Sequence, residues 1–366
     1  MRAPLLLASL LAACAAPVPR SAGAPVPVVA TIDDALRLDF VVKSKIYPEA
    51  PDQLVLTARR SGVSLWDVAG PPRPVAHWAE ERDVEGQDRV GDLLVVVARR
   101  GALLTFEIAG DRLRHRATLP LVTRPTPGEA FIGDGLRLAG GGPFTALHVA
   151  LRAAGGRTHA FVSAPVSGEL LAVDVTDPDH PRQVGAVDTG IELIEGVGLH
   201  GHHVLTAGFG SDGRLRVVDV ADPAALRVVG GLDAPAWRQL IAARDAAHPD
   251  LLFTAGWDDP GGLVVFDVRD PARPRVHGQL LLPALAQANR VALADGQAWL
   301  PLERSPGGLA GVDIRDPARP RLLSLALGLP GVDKPYTLAA HGDFLYLFGS
   351  RAPKMVVLKR PPGRPP

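Results

Sequence analysis

The chain has a single cysteine in 366 residues. One thiol cannot close an internal disulfide, and it excludes every multi-cysteine zinc or iron–sulfur centre. An excess of charge of either sign is also missing: 39 Lys+Arg face 39 Asp+Glu, and only 21% of the residues are charged. Capture of nucleic acid needs a basic groove, so no nucleic-acid partner is expected. Several catalytic signatures are lacking too. There is no glycine-rich phosphate loop with its Lys-Ser/Thr, no nucleophile elbow and no Asp-x-Asp-x-Asp-Gly calcium loop. No spacing of Ser, His and Asp selects a triad. The WD dipeptide does not recur, because Trp66-Asp67 and Trp257-Asp258 stand at unrelated places. What is present is 47% apolar residue, enough for a large core, punctuated by 39 Gly and 35 Pro. That punctuation is too dense for long helices and favours short strands joined by turns.

The amino terminus reads as a targeting segment. Met1-Arg2 supplies one positive charge, and the apolar run over residues 5–13 has the length of a signal h-region, well short of the roughly 20 residues of a spanning helix. Leu11-Ala12-Ala13-Cys14 resembles the bacterial lipobox. The resemblance implies cleavage before Cys14, acylation of Cys14, export and a membrane partner reached through lipid, since several acyl chains on one residue anchor stably. Residues 1–13 are then the signal peptide and residues 14–25 an Ala/Pro-rich tether. Ala15 stands where Asp would favour retention in the inner membrane, so the outer membrane of the cell envelope is the expected residence.

Internal repetition is the strongest signal in the chain. LLAVDVTDPDHPRQVG from Leu170, LRVVDVADPAALRVVG from Leu215, LVVFDVRDPARPRVHG from Leu263 and LAGVDIRDPARPRLLS from Leu309 align without gaps. Weaker copies start at Val63 and Leu103, and a truncated one, KMVVLKR, at Lys354. Asp67, Glu107, Asp174, Asp219, Asp267, Asp313 and Leu358 mark seven units of about 45 residues. Four short apolar runs fit into each period, which predicts an all-β, seven-bladed propeller of four-stranded antiparallel blades over residues 26–360, with 361–366 a disordered tail. The Asp-Pro pairs at 177, 222, 270 and 316 read as the turn between third and fourth strands, with Asp accepting amide hydrogen bonds and Pro pre-setting φ. Pro181, Pro274 and Pro320 stand at the start of the outer strand, where a missing amide is tolerated.

These repeats resemble the LVIVD repeat of bacterial and archaeal surface propellers. The resemblance covers roughly residues 50–360, and its LVVFDVRDPARP-type motif is specific in four copies. It implies a propeller and export and carries no catalytic motif. The last unit stops after its third strand, so residues 26–32 (VPVVATI) are expected to supply the missing outer strand and close the ring. Residues 122–145 are an insertion, either a lid over one face or a plain loop.

In a propeller, the starting ends of the first strands and the loops between second and third strands share one face. Counting six residues back from the hairpin glycine sets Glu85, Glu195, Arg290 and Tyr336 at matching places, with Lys45 and Arg238 near the same level. Two accounts follow: opposed charges that satisfy one another and plug the axis, or a pocket for a small polar or carboxylate ligand held by Arg238 and Arg290 and oriented by Tyr336. Arg59, Arg60, Arg99, Arg100, Asp212, Asp258, Asp259, Glu303, Arg304 and Arg351 would surround that mouth. Such charges form either a solvated surface or, with Trp257, the rim of a protein-binding patch. His200, His202 and His203 are the candidate ligands for a divalent metal, on the opposite face, with no carboxylate following within their turn. His341 stands where His200 does, three units later. The expected function is a surface binding or scaffold module, non-catalytic, with a propeller hydrolase or metal-dependent oxidase as the alternative.

Overall fold

The computed structural model describes residues 26–361 apart from 82, 125–144, 192, 209–213 and 234–240. The proposed acylation site Cys14, the tether, Asp212 and Arg238 lie outside the described residues. Seven four-stranded antiparallel sheets follow one another around an axis, giving a seven-bladed β-propeller. The first strands of the blades are Val41–Tyr47, Val84–Val90, Val149–Ala154, Ile194–His200, Ile241–Asp245, Ala292–Ala294 and Pro335–His341. They line the axis and approach the first strands of neighbouring blades. A single-turn 3-10 helix, Pro283–Leu285, is the only helical element among the described residues, and none of their helices is long and apolar enough to cross a membrane.

The apolar third strands are the reason the ring forms. Gly261–Asp267 is buried at every position, because a blade in mid-ring is covered on both faces. Each pair of adjacent blades encloses one apolar cluster. Val95 and Val97 meet Leu151, Val162 and Leu171 between blades 2 and 3. Leu263 and Val265 meet Leu300 and Val312 between blades 5 and 6. At about 1.5–3 kcal/mol for each fully buried large apolar side chain, these interfaces dominate the stability of the ring.

Closure follows the sequence expectation. Val28–Asp33 joins the seventh sheet outside Lys354–Lys359, in a register running from Val28 opposite Leu358 to Asp33 opposite Lys354. Lys354 Nζ lies 3.1 Å from Asp33 Oδ1, and the Lys359 amide donates to the Pro27 carbonyl at 3.0 Å. Leu54, Leu56 and Trp66 of blade 1 then pack on Tyr346, Met355 and Val357 of blade 7.

The repeated aspartates have structural roles. The carboxylates of Asp177, Asp222, Asp270 and Asp316 each accept the amide two residues on, at 3.0–3.2 Å. The marker aspartates Asp67, Asp174, Asp219, Asp267 and Asp313 do the same, and the first four also pair with the arginine that starts the outer strand, as Asp219 does with Arg227 at 2.8 Å and Asp267 with Arg275 at 2.8 Å. The outer strands Arg182–Asp188, Arg275–Leu282 and Arg321–Leu327 begin directly after Pro181, Pro274 and Pro320.

Candidate functional site: the channel mouth

Three of the residues picked out by counting sit at the same structural irregularity. Glu195 is the extra residue between the pairs Ile194–Gly208 and Gly196–Ala207, and Tyr336 the extra residue between Pro335–Gly349 and Thr337–Phe348. Glu85 shares the equivalent break, between Val84–Ala98 and Gln87–Val96, with Gly86. A β-bulge re-aims a side chain that regular alternation would send between blades. Arg290 follows the corresponding stretch of blade 6, where Ala288 bridges Leu302 and the Asn289 amide donates to the Pro301 carbonyl.

These residues meet across the axis in one electrostatic cluster. Glu85, 1% exposed, accepts a short hydrogen bond from Arg59 Nε and stands 3.3 Å from Arg99 Nε. Arg59 stacks over Phe40 at 4.4 Å, and Arg290 lies 5.1 Å from the centre of the Tyr336 ring. Burial works against the charge of Arg59, but Glu85 outweighs it and holds the guanidinium above its ordinary range. Burial and the neighbouring Arg59 push Arg99 down. Arg290 Nη1 donates to Asn289 Oδ1 at 2.7 Å, and Asn289 Nδ2 donates to Glu303 Oε2 at 2.6 Å.

The cluster does not satisfy itself. Arg290 Nε, Glu195 Oε2, His148 Nε2 and Gln87 Oε1 are buried without a hydrogen-bond partner among the described residues. Burial pushes the Glu195 carboxyl up to about 7, against the field of Arg290. Glu303 is likewise raised to about 7 by burial, against its hydrogen bond from Asn289. Lys43 falls to about 7 through burial and the charges of Arg290 and Lys45, and burial with Arg290, Lys43 and Arg59 drives His148 well below its usual value. Arg59, Arg99 and Arg290 therefore face three carboxyl groups, of which Glu85 is paired with Arg59 and Arg99 while burial raises Glu195 and Glu303 to about 7 and so works against their negative charge at neutral pH. The surplus is positive.

The structure corrects part of the sequence reading. Lys45 is not at the mouth. It lies three residues deeper, level with Asp88, whose Oδ1 its Nζ meets at 2.6 Å while Asp88 Oδ2 accepts the Leu151 amide at 2.8 Å. This ties blades 1, 2 and 3 together, and Lys43 takes the place nearer the mouth. The counting also omitted His148 and Asn289. Neither belongs to a recognisable repeat copy, but both stand just before the inner strand of their blade, and that location is the signal that would have found them. On the rim, Arg60 meets Asp39 at 3.3 Å, Arg100 meets Asp83 at 3.2 Å and Arg351 meets Asp333 at 3.4 Å. Those exposed charges are mostly matched by acids of nearby loops. Arg304 donates to the Ala284 carbonyl at 2.9 Å, and Trp257 is half-buried. The insertion enters at the same face: the Arg124 amide donates to Glu169 Oε2 at 2.9 Å and the Thr145 amide to the Arg99 carbonyl at 2.8 Å.

On the opposite face the histidine string divides. His200 turns to Asp250, 3.9 Å away, and to Arg244, as His341 turns to Asp52 at 3.3 Å. His202 and His203 stay together, and a carboxylate does reach them, from Asp219 on the third strand. Asp219 lies outside their turn, and antiparallel pairing sets it directly opposite His203.

The chain is thus a seven-bladed β-propeller with a buried, incompletely paired charge cluster at one mouth of its axis. No protein-family profile matches it, and no curated protein sequence does either. Solved structures match in fold. A chain in a crystal structure of the mitotic checkpoint complex superposes with a TM-score of 0.64 at 13% identity, over 97% of this chain and 98% of that one. The β-propeller domain of Cps50 (Swd1) from Myceliophteria thermophila gives 0.65 at 12% identity, over 91% of this chain and all of that domain. Sqt1 from Saccharomyces cerevisiae gives 0.59 at 12% identity, over 92% and 100%.

Proposed function

We propose that this propeller is a binding module that takes a small anionic ligand, a carboxylate in the first instance, at the channel mouth. The observation that carries the reading is the pair of atoms Arg290 Nε and Glu195 Oε2, which have no partner among the described residues and are buried in a cluster whose charge surplus is positive. Buried polar atoms are nearly always hydrogen-bonded, so orphans gathered on an axis call for a guest. A carboxylate would accept from Arg290 Nε, and a ligand hydroxyl or protonated acid would donate to Glu195, with Tyr336 as the wall. Thermal-shift titration with acetate, malonate, succinate, phosphate and sulfate tests this: a saturable rise in Tm for at least one anion, lost in Arg290→Ala, is expected. Equal responses of the two proteins across the series would refute it.

A second reading, catalysis at the same mouth, draws on Glu195, Glu303 and Lys43, which all titrate near 7 as an acid–base apparatus requires. Location is proposed from sequence alone: the lipobox-like Leu11-Ala12-Ala13-Cys14 supports export and a lipid anchor, and the likeness to LVIVD propellers agrees with a surface role. Incorporation of labelled palmitate into the wild-type chain and not into Cys14→Ser tests it. The fold-level likeness to a chain of the mitotic checkpoint complex supports a binding role over an unpartnered one.

A further inference from the structure

The face opposite the mouth holds a second group of ligand-type side chains, independent of the first. In blade 4 the first strand turns back through Gly201, whose φ of +58° suits glycine, and brings His202 and His203 side by side with ring centroids 4.1 Å apart. Antiparallel pairing sets Asp219 across from His203. One ligand atom from each of the three lies within 4.8 Å of the other two. Asp219 is already oriented, its Oδ1 accepting the Ala221 amide at 3.0 Å and its Oδ2 accepting Arg227 at 2.8 Å. Each carboxylate oxygen keeps a further lone-pair direction, and such outer contacts fix a metal-ligating carboxylate in place. No hydrogen bond engages either imidazole among the described residues.

Comparison between blades separates what the repeat needs from what this blade adds. The aspartate recurs in blade 1 and in blades 3 to 6 as a turn anchor, opposite Gln53 in blade 1, Leu251 in blade 5 and Gln297 in blade 6. Blade 3 sets His159 opposite Asp174, but its turn is Gly155-Gly156 and brings no second imidazole. Among the described residues, only blade 4 joins two imidazoles to the carboxylate. We infer that His202, His203 and Asp219 form a binding site for a borderline divalent metal ion of the zinc, nickel or copper(II) type. Two imidazoles and one carboxylate are the donor set such ions prefer, and exposed His202 leaves room for solvent or a donor from another molecule to complete the shell. The ion would clamp the turn to the third strand.

Zinc titration of the chelator-stripped, untagged protein, followed by calorimetry and by the visible spectrum of the cobalt(II) form, tests the site. One equivalent is expected, with the strong d–d bands of low-coordinate cobalt. Affinity should fall at least tenfold in His202→Ala, in His203→Ala and in Asp219→Asn, and stay unchanged in His200→Ala, whose ring faces Asp250. His202 is exposed, so His202→Ala should keep the wild-type circular dichroism and Tm, which separates loss of ligand from loss of fold. Equal zinc uptake by the wild type and a His202→Ala/His203→Ala double variant would overturn the inference, as would loss of binding in His200→Ala alone.

Discussion

Gly230 lies against the carbonyl oxygen of Pro271, so close that a Cβ built on the glycine would stand 2.2 Å from that oxygen. Gly185 meets Pro223 and Gly278 meets Pro317 in the same way, at 2.1 and 2.2 Å. The Asp-Pro turns of blades 4, 5 and 6 are thus seated on the outer strand of the blade before, and the motif that stands out in the sequence is a joint between blades. Gly230→Ala should destabilise the fold by about 1–3 kcal/mol through overpacking against backbone that cannot retreat. Gly70→Ala, where nothing lies within 4 Å, should change stability by less than about 0.5 kcal/mol. Urea denaturation of the two variants measures the difference.

Glu85 and Glu195 occupy matching bulges and should respond oppositely to one substitution. Glu85→Gln removes the carboxylate that Arg59 and Arg99 share and should cost about 3 kcal/mol, as breaking a buried ion pair does. Glu195→Gln removes a carboxyl whose Oε2 has no partner and, at pH 8, should raise stability by something on the order of 1 kcal/mol. Denaturant midpoints at pH 8 decide the sign of each.

The same cluster shapes the pH profile. Glu195 and Glu303 titrate near 7 in the fold against an ordinary 4.5, so their contribution favours folding below 4.5 and is lost as the pH rises to about 7. Lys43 titrates near 7 against 10.5, so its contribution is present above 10.5 and is lost as the pH falls to about 7. Together they predict a shallow minimum in Tm near neutrality. Glu195→Gln should flatten the acidic limb and Lys43→Met the alkaline limb. Profiles of both variants that run parallel to the wild type would contradict the assignment.

Closure can be tested by truncation. A chain beginning at Val26 keeps the outer strand Val28–Asp33, whereas one beginning at Asp34 leaves the edge Lys354–Lys359 unpaired. The shorter chain should lose most of its thermal stability and associate in solution, as an uncovered edge strand does. Light scattering and calorimetry on the two chains read this directly.

The fold was legible because each local rule repeated. Asp174, Asp219, Asp267 and Asp313 mark copies whose turns and third strands follow from composition alone. The mouth was half legible. Counting back from Gly91, Gly201 and Gly342 found Glu85, Glu195 and Tyr336 because the stretch from bulge to turn keeps its length in those blades. Blade 1 turns through Pro48-Glu49 without a glycine and carries a second register break at Ile46/Tyr47, which is why Lys45 was set too high. The partnership of Glu85 with Arg59 was not legible, since it depends on how far a loop of one blade reaches over the next. The same holds for Asp219 beside His202: their proximity is a product of strand pairing, which no reading of a single turn contains.

The central claim is that the mouth of the axis is built to receive an anion at Arg290. Crystals soaked in bromide and measured at the bromine absorption edge test it most directly. An anomalous peak within hydrogen-bonding reach of Arg290 Nε, absent in crystals of Arg290→Ala, is the predicted result. Bromide confined to exposed arginines such as Arg60 and Arg100, with nothing at Arg290, would contradict it.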